Sequence, residues 1–493
     1  MTDNALTTPT TPVEATPDHS RRNGLVINLM LVATFVVILN ETIIGVAIPR
    51  LMDDLNIAAS TAQWLSTAFM LTMAVVIPTT GFLMQRLHTR TVFILAMSLF
   101  TLGTAIAAIA PGFEVLLAGR IVQASGTAIM MPLLMTTVMT LVPTHSRGRT
   151  MGNISIVISV APALGPTISG LILSVFDWRF IFILVLPIAI VALAIGGTRV
   201  QNVSEPRKVP LDALSVVLSA FAFGGLIYGL SSLGETISGT AVVTAWIPVA
   251  VGTIALGLFI ARQLSLQRTD SAFLDLRTFS ARGFGVSIIL MVILMGALFG
   301  TIILLPIYMQ DVLGLLPVQA GLILLPGSVL MGLLGPVVGR LYDRVGPRPL
   351  LVPGTVVVSL ALWSMTMFTE GTPWQLVVVA HVALSLGLGL TFTPLFTSSL
   401  GSLKPSLYAA GSATIGTVQQ LAGAAGTALF IALLTIGSVA AARNGAPETF
   451  ALASGVHAAF IAGAVLSLLA VVAAFFVPRP DAPEMPADAP AVP

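Results

Sequence analysis

The sequence predicts an all-α polytopic membrane protein with fourteen transmembrane helices, arranged as two six-helix halves with two extra helices between them. Three observations support this prediction: the composition, a series of long apolar runs, and an internal repeat. Of the 493 residues, only 9% are charged and 56% are hydrophobic, and the mean hydropathy is +1.00. Because a soluble domain carries roughly a quarter charged residues, we expect one membrane-embedded unit and no soluble domain.

Mostly apolar runs recur along the chain at the length of a membrane-crossing helix, which is ~20 residues. Fourteen such runs lie between charged residues or turn-forming clusters. They begin near Leu25, Ala62, Thr91, Val115, Thr150, Phe180, Leu211, Val242, Phe284, Pro317, Leu350, Leu376, Ala410 and Val456. An even number of spans places both termini on the same side of the membrane.

The basic residues indicate which side that is. Of the 22 Lys and Arg residues, 18 fall in one set of loops and tails, three (Arg50, Arg179 and Arg443) fall in the other set, and Arg120 lies within a span. Because Lys and Arg are retained in cytoplasmic loops, this distribution predicts a protein of the cytoplasmic membrane with both termini in the cytoplasm.

An internal repeat divides the chain. Gly81–Arg90 superposes on Gly339–Arg348 at a constant offset, and each segment follows the second span of its half. A weaker match pairs the segments that begin at Pro132 and Pro394. Such duplication is typical of secondary transporters, in which two halves move around a central site. The predicted units are a disordered cytoplasmic tail (1–24), a first half (25–200), a two-helix insert with its linkers (201–280), a second half (281–477) and a second disordered tail (478–493).

One acidic residue, Glu41, lies well inside a span, the first one, with Asn40 beside it. An acidic side chain in the membrane centre costs ~2.5–3.5 kcal/mol on insertion scales, so it is usually functional. Helical spacing places Thr34, Ile38, Glu41 and Gly45 on one face, which offers a hydroxyl, a carboxyl and a glycine for close helix packing. We expect Glu41 to take up and release protons; the alternative is a structural carboxyl hydrogen-bonded between helices.

Arg120 lies inside the fourth span, with Gln123 one turn further on the same face. A buried guanidinium needs a partner. It either holds backbone carbonyls of a neighbouring helix or responds electrostatically to the protonation of Glu41, and the sequence does not separate these two roles. His381, near the start of the twelfth span, can titrate near physiological pH, although a buried hydrogen-bonded or interfacial histidine is the simpler interpretation.

Several motifs occur in the order found in a known family. Gly81–Arg90 and Gly339–Arg348 resemble its Gly-x-x-x-Asp-Arg-x-Gly-Arg loop signature, and Arg120 with Gln123 resembles its fourth-span motif. Leu39–Pro49 is similar to the first-span signature of one subfamily. From the first predicted span to the last, the chain thus resembles the major facilitator superfamily, and within it the fourteen-span drug:proton antiporters of the EmrB/QacA type.

The resemblance also assigns gating residues. Proline bends a membrane helix and glycine admits a close neighbour, and Gly165-Pro166 with Gly170 in the fifth span resembles the family's antiporter motif, a hinge or a tight seal. The residues expected to take part in gating are Gly81, Gln85, Arg86, Arg90, Gly165, Pro166, Gly170, Gly339, Asp343, Arg344, Gly346 and Arg348.

The sequence departs from the family pattern at two positions. Asn40 stands where the first span of the family usually has an aspartate. The acidic residue of this chain is the next one, Glu41, about 100° further around the helix. In the first half, Gln85 stands where the family's loop usually has an aspartate. The contact between this loop and the neighbouring helices is therefore expected to be weaker in the first half or to be made by Asp343 instead. Both departures are similar to the lincomycin-resistance LmrB branch.

The resemblance implies alternating access and proton-coupled efflux of hydrophobic or cationic drugs and antibiotics, without catalysis, metal or cofactor and with protons as the coupling ion. The expected partners are a small lipophilic or cationic substrate and the lipid bilayer, not nucleic acid, and the protein is expected to be a monomer. The coupling residues are expected to be Glu41 and Arg120, and the cavity residues Thr34, Ile38, Asn40, Glu41, Gln123 and Asn153. One alternative keeps the fold but exports an endogenous metabolite, peptide or lipid precursor; a remote one is a membrane-embedded enzyme or sensor.

Overall fold

The computed structural model describes residues 20–202, 206, 210, 212–233, 236 and 244–479. Those residues form fourteen long α-helices and no β-strand. The helices are α1 (Ser20–Leu55), α2 (Ala59–Arg86), α3 (Thr89–Ala108), α4 (Phe113–Leu141), α5 (Arg147–Val175), α6 (Arg179–Arg199), α7 (Ala213–Ser231), α8 (Trp246–Leu266), α9 (Arg282–Ile307), α10 (Pro317–Val345), α11 (Arg348–Met365), α12 (Trp374–Gly401), α13 (Tyr408–Arg443) and α14 (Glu448–Phe476).

All fourteen helices are long and apolar enough to cross a membrane, which confirms the predicted number of spans. The connections reverse the chain after each helix, so α1 begins and α14 ends at the same end of the bundle. We call this end the terminal face and the other end the opposite face. The predicted disordered tails fall mainly on 1–19 and 480–493, outside the described residues; within the described part, α1 already begins at Ser20.

The two repeats occupy corresponding places. Helices α1–α6 form the first half and α9–α14 the second, so that α2 corresponds to α10 and α5 to α13. In the second repeat α10 ends at Gly346, whose φ of 81° lies in the left-handed region and whose N–H donates to the carbonyl of Tyr342 at 2.8 Å. Glycine suits this position because a side chain would be strained at that φ.

The two halves meet near the terminal face along two seams, one between α5 and α10 and one between α2 and α13. Glycines allow the backbones to touch at the first seam: a Cβ atom at Gly339 would collide with the carbonyl of Gly148, and one at Gly152 with the carbonyl of Gly335. At the second seam, Gly81 of α2 packs against α13. Corresponding helices therefore make both seams.

The two extra helices, α7 and α8, cover the second seam. An apolar cluster joins α2 (Ala74, Phe82), α13 (Ala413), α7 (Phe223, Ile227), α8 (Phe259) and the segment after it (Phe273, Leu274). Arg262 of α8 donates two hydrogen bonds, at 3.0 and 3.1 Å, to the Asp212 carboxylate that caps α7. This ion pair ties the start of α7 to the end of α8.

Candidate functional site

A buried polar cluster lies where α1, α3 and α4 meet. The Nη1 of Arg120 donates to the Asn40 side-chain oxygen at 3.3 Å and to the Gln123 side-chain oxygen at 2.7 Å. Gln123 in turn donates to the Thr104 hydroxyl at 2.8 Å. All four side chains are buried. Arg120 therefore holds side-chain amide oxygens; among the described residues it bonds no backbone carbonyl, the other partner that the sequence suggested.

Two members of this cluster were not predicted. The guanidinium of Arg120 lies 4.0 Å from the ring centroid of Phe69 on α2, a cation–π contact that adds ~2 kcal/mol when it is desolvated. Thr104 accepts the Gln123 bond from α3. The chain has 24 Phe residues, and no local pattern distinguishes Phe69 from the others. For Thr104 the only signal was a hydroxyl in the middle of an apolar span.

Glu41 does not join the cluster by direct contact. In the described part of the chain its carboxyl forms no hydrogen bond or ion pair, and it interacts with Arg120 only electrostatically. Asn40, and not Glu41, points at Arg120, because successive residues are 100° apart on a helix. Glu41 also points 180° away from Val32, which is 57% exposed on the outer surface of α1.

Exposure along this face of α1 rises in one direction. Thr34, nearer the terminal face, is 1% exposed, Ile38 and Glu41 are half-buried, and Gly45, nearer the opposite face, is exposed with no atom within 4 Å of an ideal Cβ. The exposure of this face therefore increases from the terminal face toward the opposite face, and Glu41 lies between its buried and its exposed end.

The close helix contact occurs one residue along from Glu41, and not at Gly45. A Cβ atom at Gly165 of α5 would collide with the Thr42 hydroxyl, so α1 and α5 touch here. The expected close packing at Gly45 and Gly170 is wrong for this structure, since neither has an atom within 4 Å of an added Cβ. Gly45 and Gly170 are exposed and point away from this contact, whereas Ile43 and Ala47 of α1 share an apolar cluster with Ile172 of α5. Pro166 lies within α5, but its side chain is outside the described residues.

Asn153 is not brought to the site. Its side chain is exposed, and it lies ~9 Å along α5 from the terminal-face end, whereas Asn40 lies ~30 Å along α1 from that end. The grouping of Asn153 with the cavity residues is therefore wrong in this structure. Thr34 and Ile38 do lie on the face of Glu41, as their spacing implies.

Asp343 connects the halves at the terminal face. Its carboxylate accepts from the backbone N–H of Gly148 at 2.8 Å and of Arg149 at 2.9 Å, both in the first turn of α5. A carboxylate at a helix N-terminus is favourable because the first N–H groups lack partners and carry partial positive charge. The side chain of Gln85, at the same position of the first repeat, forms no hydrogen bond with the residues that the structure describes.

The last arginines of the two loop motifs make corresponding contacts within their halves. Arg90 donates to the carbonyl of Gly197 at 2.6 Å, near the end of α6, and Arg348 donates to the carbonyl of Val477 at 3.0 Å, just after α14. Each bond links the third helix of a half to its sixth helix. Of the other two motif arginines, Arg86 lies over the Phe82 ring at 5.8 Å and Arg344 is exposed at the end of α10.

Polar side chains also pair across the halves near the terminal face. The hydroxyls of Ser155 and Thr393 lie 2.6 Å apart, and Thr136 donates to Ser412 at 3.0 Å. Arg147 donates to the Tyr408 hydroxyl at 3.3 Å. Together with Asp343 and the glycine contacts, these pairs close the terminal face with bonds that can be broken without disrupting either half.

Comparison with known proteins agrees with this geometry. The sequence profile of the Major Facilitator Superfamily matches residues 30–427. The chain is 40% identical over 469 residues to the lincomycin resistance protein LmrB of Listeria monocytogenes, which covers 94% of this chain and 98% of that protein. It is 28% identical over 397 residues to a multidrug resistance protein B homolog of Mycobacterium tuberculosis, and this match covers 80% of this chain and 73% of that protein.

Two solved structures share the fold. The proton:xylose symporter XylE superposes with a TM-score of 0.65 at 15% identity, covering 94% of this chain and 97% of that one. The human organic anion transporter MFSD10 superposes with a TM-score of 0.61 at 15% identity, and the match covers 93% of this chain and 100% of that one. The predicted fold, the likeness to the LmrB branch and the assignment as a transporter and not an enzyme are confirmed. The chain belongs to the Major Facilitator Superfamily.

Proposed function

We propose that the protein is a proton-coupled exporter of lipophilic or cationic drug-like compounds that works by alternating access, with its terminal face in the cytoplasm. The observation that carries this proposal is Glu41: a carboxyl in the middle of a membrane helix, without a bonded partner among the described residues, on a helix face whose exposure increases toward the opposite face. Such a group is costly unless it binds a proton or a cation.

The relatives support the class of cargo. One is named for lincomycin resistance and another for multidrug resistance, and both are similar to this chain over most of its length. Apolar side chains dominate the spans, and Glu41, the one acidic residue of the described helices that lies far from a helix end, favours compounds that combine an apolar body with a positive charge. Neither transport nor coupling needs an organic cofactor in this proposal.

With the terminal face in the cytoplasm, the structure corresponds to an outward-facing state. The contacts of Asp343, Ser155 and Thr136 close the cytoplasmic side, while the face that carries Glu41 and Gly45 opens outward. In this state an exporter releases its cargo and takes up protons from outside. One proton that then moves inward across 100 mV supplies ~2.3 kcal/mol.

Coupling follows from the different neighbours of Asn40 and Glu41. The Asn40 amide is neutral and holds Arg120 in every protonation state, so the charge at this level of α1 changes at Glu41 alone. The ionised carboxylate attracts a cationic compound, and protonation removes that attraction and releases it. A proton and a cation therefore compete for one carboxyl, which is the requirement for antiport.

The test is gradient-driven uptake of ethidium into inverted membrane vesicles at matched expression. We expect Glu41→Gln to abolish uptake that depends on the proton gradient while the protein still inserts and folds. Asp54→Asn is the matched control, because Asp54 is an acidic residue of the same helix whose carboxylate pairs with Arg50 at the opposite face, 3.3 Å away. Uptake at the wild-type rate in Glu41→Gln, or equal losses in both variants, contradicts the role of Glu41.

A further inference from the structure

A chain of three hydrogen bonds runs from Arg120 to the backbone of α3. Arg120 donates to the side-chain oxygen of Gln123 at 2.7 Å, and the Gln123 amide donates to the Thr104 hydroxyl at 2.8 Å. Thr104 in turn donates to the carbonyl of Phe100, one turn earlier on α3, at 2.7 Å. The three side chains are buried, so a bond lost from this chain leaves a buried polar group without a partner.

The Thr104 hydroxyl fixes which end of the Gln123 amide faces Arg120. A hydroxyl has one hydrogen to donate, and Thr104 gives it to the Phe100 carbonyl. Its oxygen is left as an acceptor, so the amide NH2 of Gln123 turns toward it. The amide oxygen then faces Arg120, whose guanidinium can only donate. Without the hydroxyl, the NH2 of Gln123 has no acceptor in this chain of bonds.

Glycines hold α3 and α4 in close contact around these bonds. A Cβ atom at Gly103, next to Thr104, would collide with the backbone N of Gln123, and one at Gly126 would collide with the carbonyl of Ala96. The two backbones therefore touch along this stretch. Thr104 is, as a result, a fixed anchor for the Gln123 side chain.

Arg120 depends on this anchor because few bonds hold it. Both of its hydrogen bonds to described residues leave from Nη1, the one to Gln123 at 2.7 Å and a longer one to Asn40 at 3.3 Å, and its buried Nε has no partner among those residues. Of the charged residues on α1 and on the helices packed against it, α2, α4, α5 and α6, Arg120 and Glu41 are the two that lie away from the helix ends. A guanidinium released from Gln123 is therefore drawn toward the Glu41 carboxylate.

We propose that Thr104 is a positioning residue that keeps the Arg120 guanidinium from pairing with the Glu41 carboxylate. It acts through Gln123, which it bonds directly. Glu41 then stays available to the proton and the cationic compound that compete for it, so this inference rests on the proposed function. An ion pair between Arg120 and Glu41 would compete with both of them.

The test measures ethidium binding to the purified protein by fluorescence as a function of pH. Wild-type protein should bind ethidium at alkaline pH and release it as the pH falls. In Thr104→Val we expect the Kd at alkaline pH to rise about tenfold, the lower end of the effect of one hydrogen bond to a charged group. The pH of half-release, measured with ethidium at the Kd of each variant, should fall by about one unit, which is the same factor of ten.

Three further variants show whether the hydroxyl is the cause. Thr104→Ser keeps the hydroxyl and should leave both values within about twofold of wild type. Thr101→Val is the matched control, because Thr101 lies one turn earlier on α3 and its buried hydroxyl has no partner among the described residues; neither value should change. Gln123→Leu removes the same bonds, so it should shift both values as Thr104→Val does.

The double variant tests the route through Gln123. Adding Thr104→Val to Gln123→Leu should shift the two values no further, because residues of one hydrogen-bonded chain do not act additively. This variant leaves no unpaired amide, so Gln123→Leu with and without Thr104→Val decides the result if Thr104→Val alone fails to fold.

Several results overturn this role. Unchanged values in a folded Thr104→Val protein would mean that Thr104 only packs α3 against α4, and unchanged values in Gln123→Leu would mean that this chain of bonds does not hold Arg120. A further shift in the double variant would mean that Thr104 acts by another route. A wild-type protein that binds no ethidium, or binds it equally at every pH, refutes the proposed function before any variant is compared, and this inference falls with it.

Discussion

Replacing Asp343 by alanine is expected to open the terminal face. The carboxylate accepts two hydrogen bonds from the first turn of α5, at 2.8 and 2.9 Å, and, like Arg147 with Tyr408, it is a charged group that bonds across the halves there. When the halves part, water replaces both bonds. The substitution therefore acts on the equilibrium between the closed and open terminal face, while the packing within each half stays as it is.

The size of the effect follows from these two bonds. A hydrogen bond to a charged group contributes about 1.5–3 kcal/mol, and removal of a helix-capping side chain costs ~1 kcal/mol. Asp343 is half-buried, so we take the lower value, ~1 kcal/mol for each bond and ~2 kcal/mol together. Since 1.4 kcal/mol is a factor of ten, Asp343→Ala should shift the equilibrium about 30-fold toward the open terminal face.

The absence of cysteine makes the measurement direct. Thr144→Cys and Ser406→Cys place one reactive thiol on the exposed terminal side of each half. Nitroxide labels on both report the distance between the halves by double electron–electron resonance. We expect the population at the longer distance to grow about 30-fold relative to the shorter one in Asp343→Ala.

Gln85→Ala is the matched control, because Gln85 occupies the same position of the first repeat and its side chain makes no hydrogen bond with the described residues. Its distance distribution should change by less than about twofold. Equal shifts in the two variants, or no shift in Asp343→Ala, would refute the argument that the capping bonds hold the terminal face closed.

Two other contacts can be tested by thermal unfolding of the purified protein. Gly165→Ala forces a methyl group into Thr42 and should lower the free energy of unfolding by about 1–3 kcal/mol. Adding Thr42→Ala to this variant should restore part of that free energy. Gly170→Ala, whose methyl group meets open space, should have no effect on it. Hydrogen bonds from Arg262 hold the pKa of the Asp212 carboxyl below its ordinary value, so this pair adds stability above about pH 4 and loses it as the pH falls further. Arg262→Ala should lower the free energy of unfolding only slightly at pH 7, because exposed ion pairs contribute little, and should flatten its decline below about pH 4; an unchanged decline contradicts the pairing.

The number of helices could be predicted because hydropathy is a local property, and most helices begin within a few residues of the predicted starts. The last span is an exception: α14 begins at Glu448 and not near Val456. The prediction followed apolar character, whereas Pro447 and an acidic residue in the first turn favour an earlier start, where the positive end of the helix attracts the carboxylate.

Side-chain partners were less predictable because they depend on how helices rotate against each other. The sequence identified Arg120 and Gln123 as a pair, since they are one turn apart, and the structure joins them directly. It could not show that Asn40 meets Arg120, or that Phe69 covers it, because these contacts cross from one helix to another. Asn153 was misplaced for the same reason: a polar residue within a predicted span need not face the passage.

The position of α7 and α8 limits how a compound dissolved in the bilayer can reach the passage from the side. These helices lie over the seam between α2 and α13 and share an apolar cluster with both, so lipid is excluded from that seam. The seam between α5 and α10 has no such cover among the described helices, and glycines line it. When the halves separate at the terminal face, lateral access from the adjoining leaflet is therefore one-sided, through the glycine-lined seam.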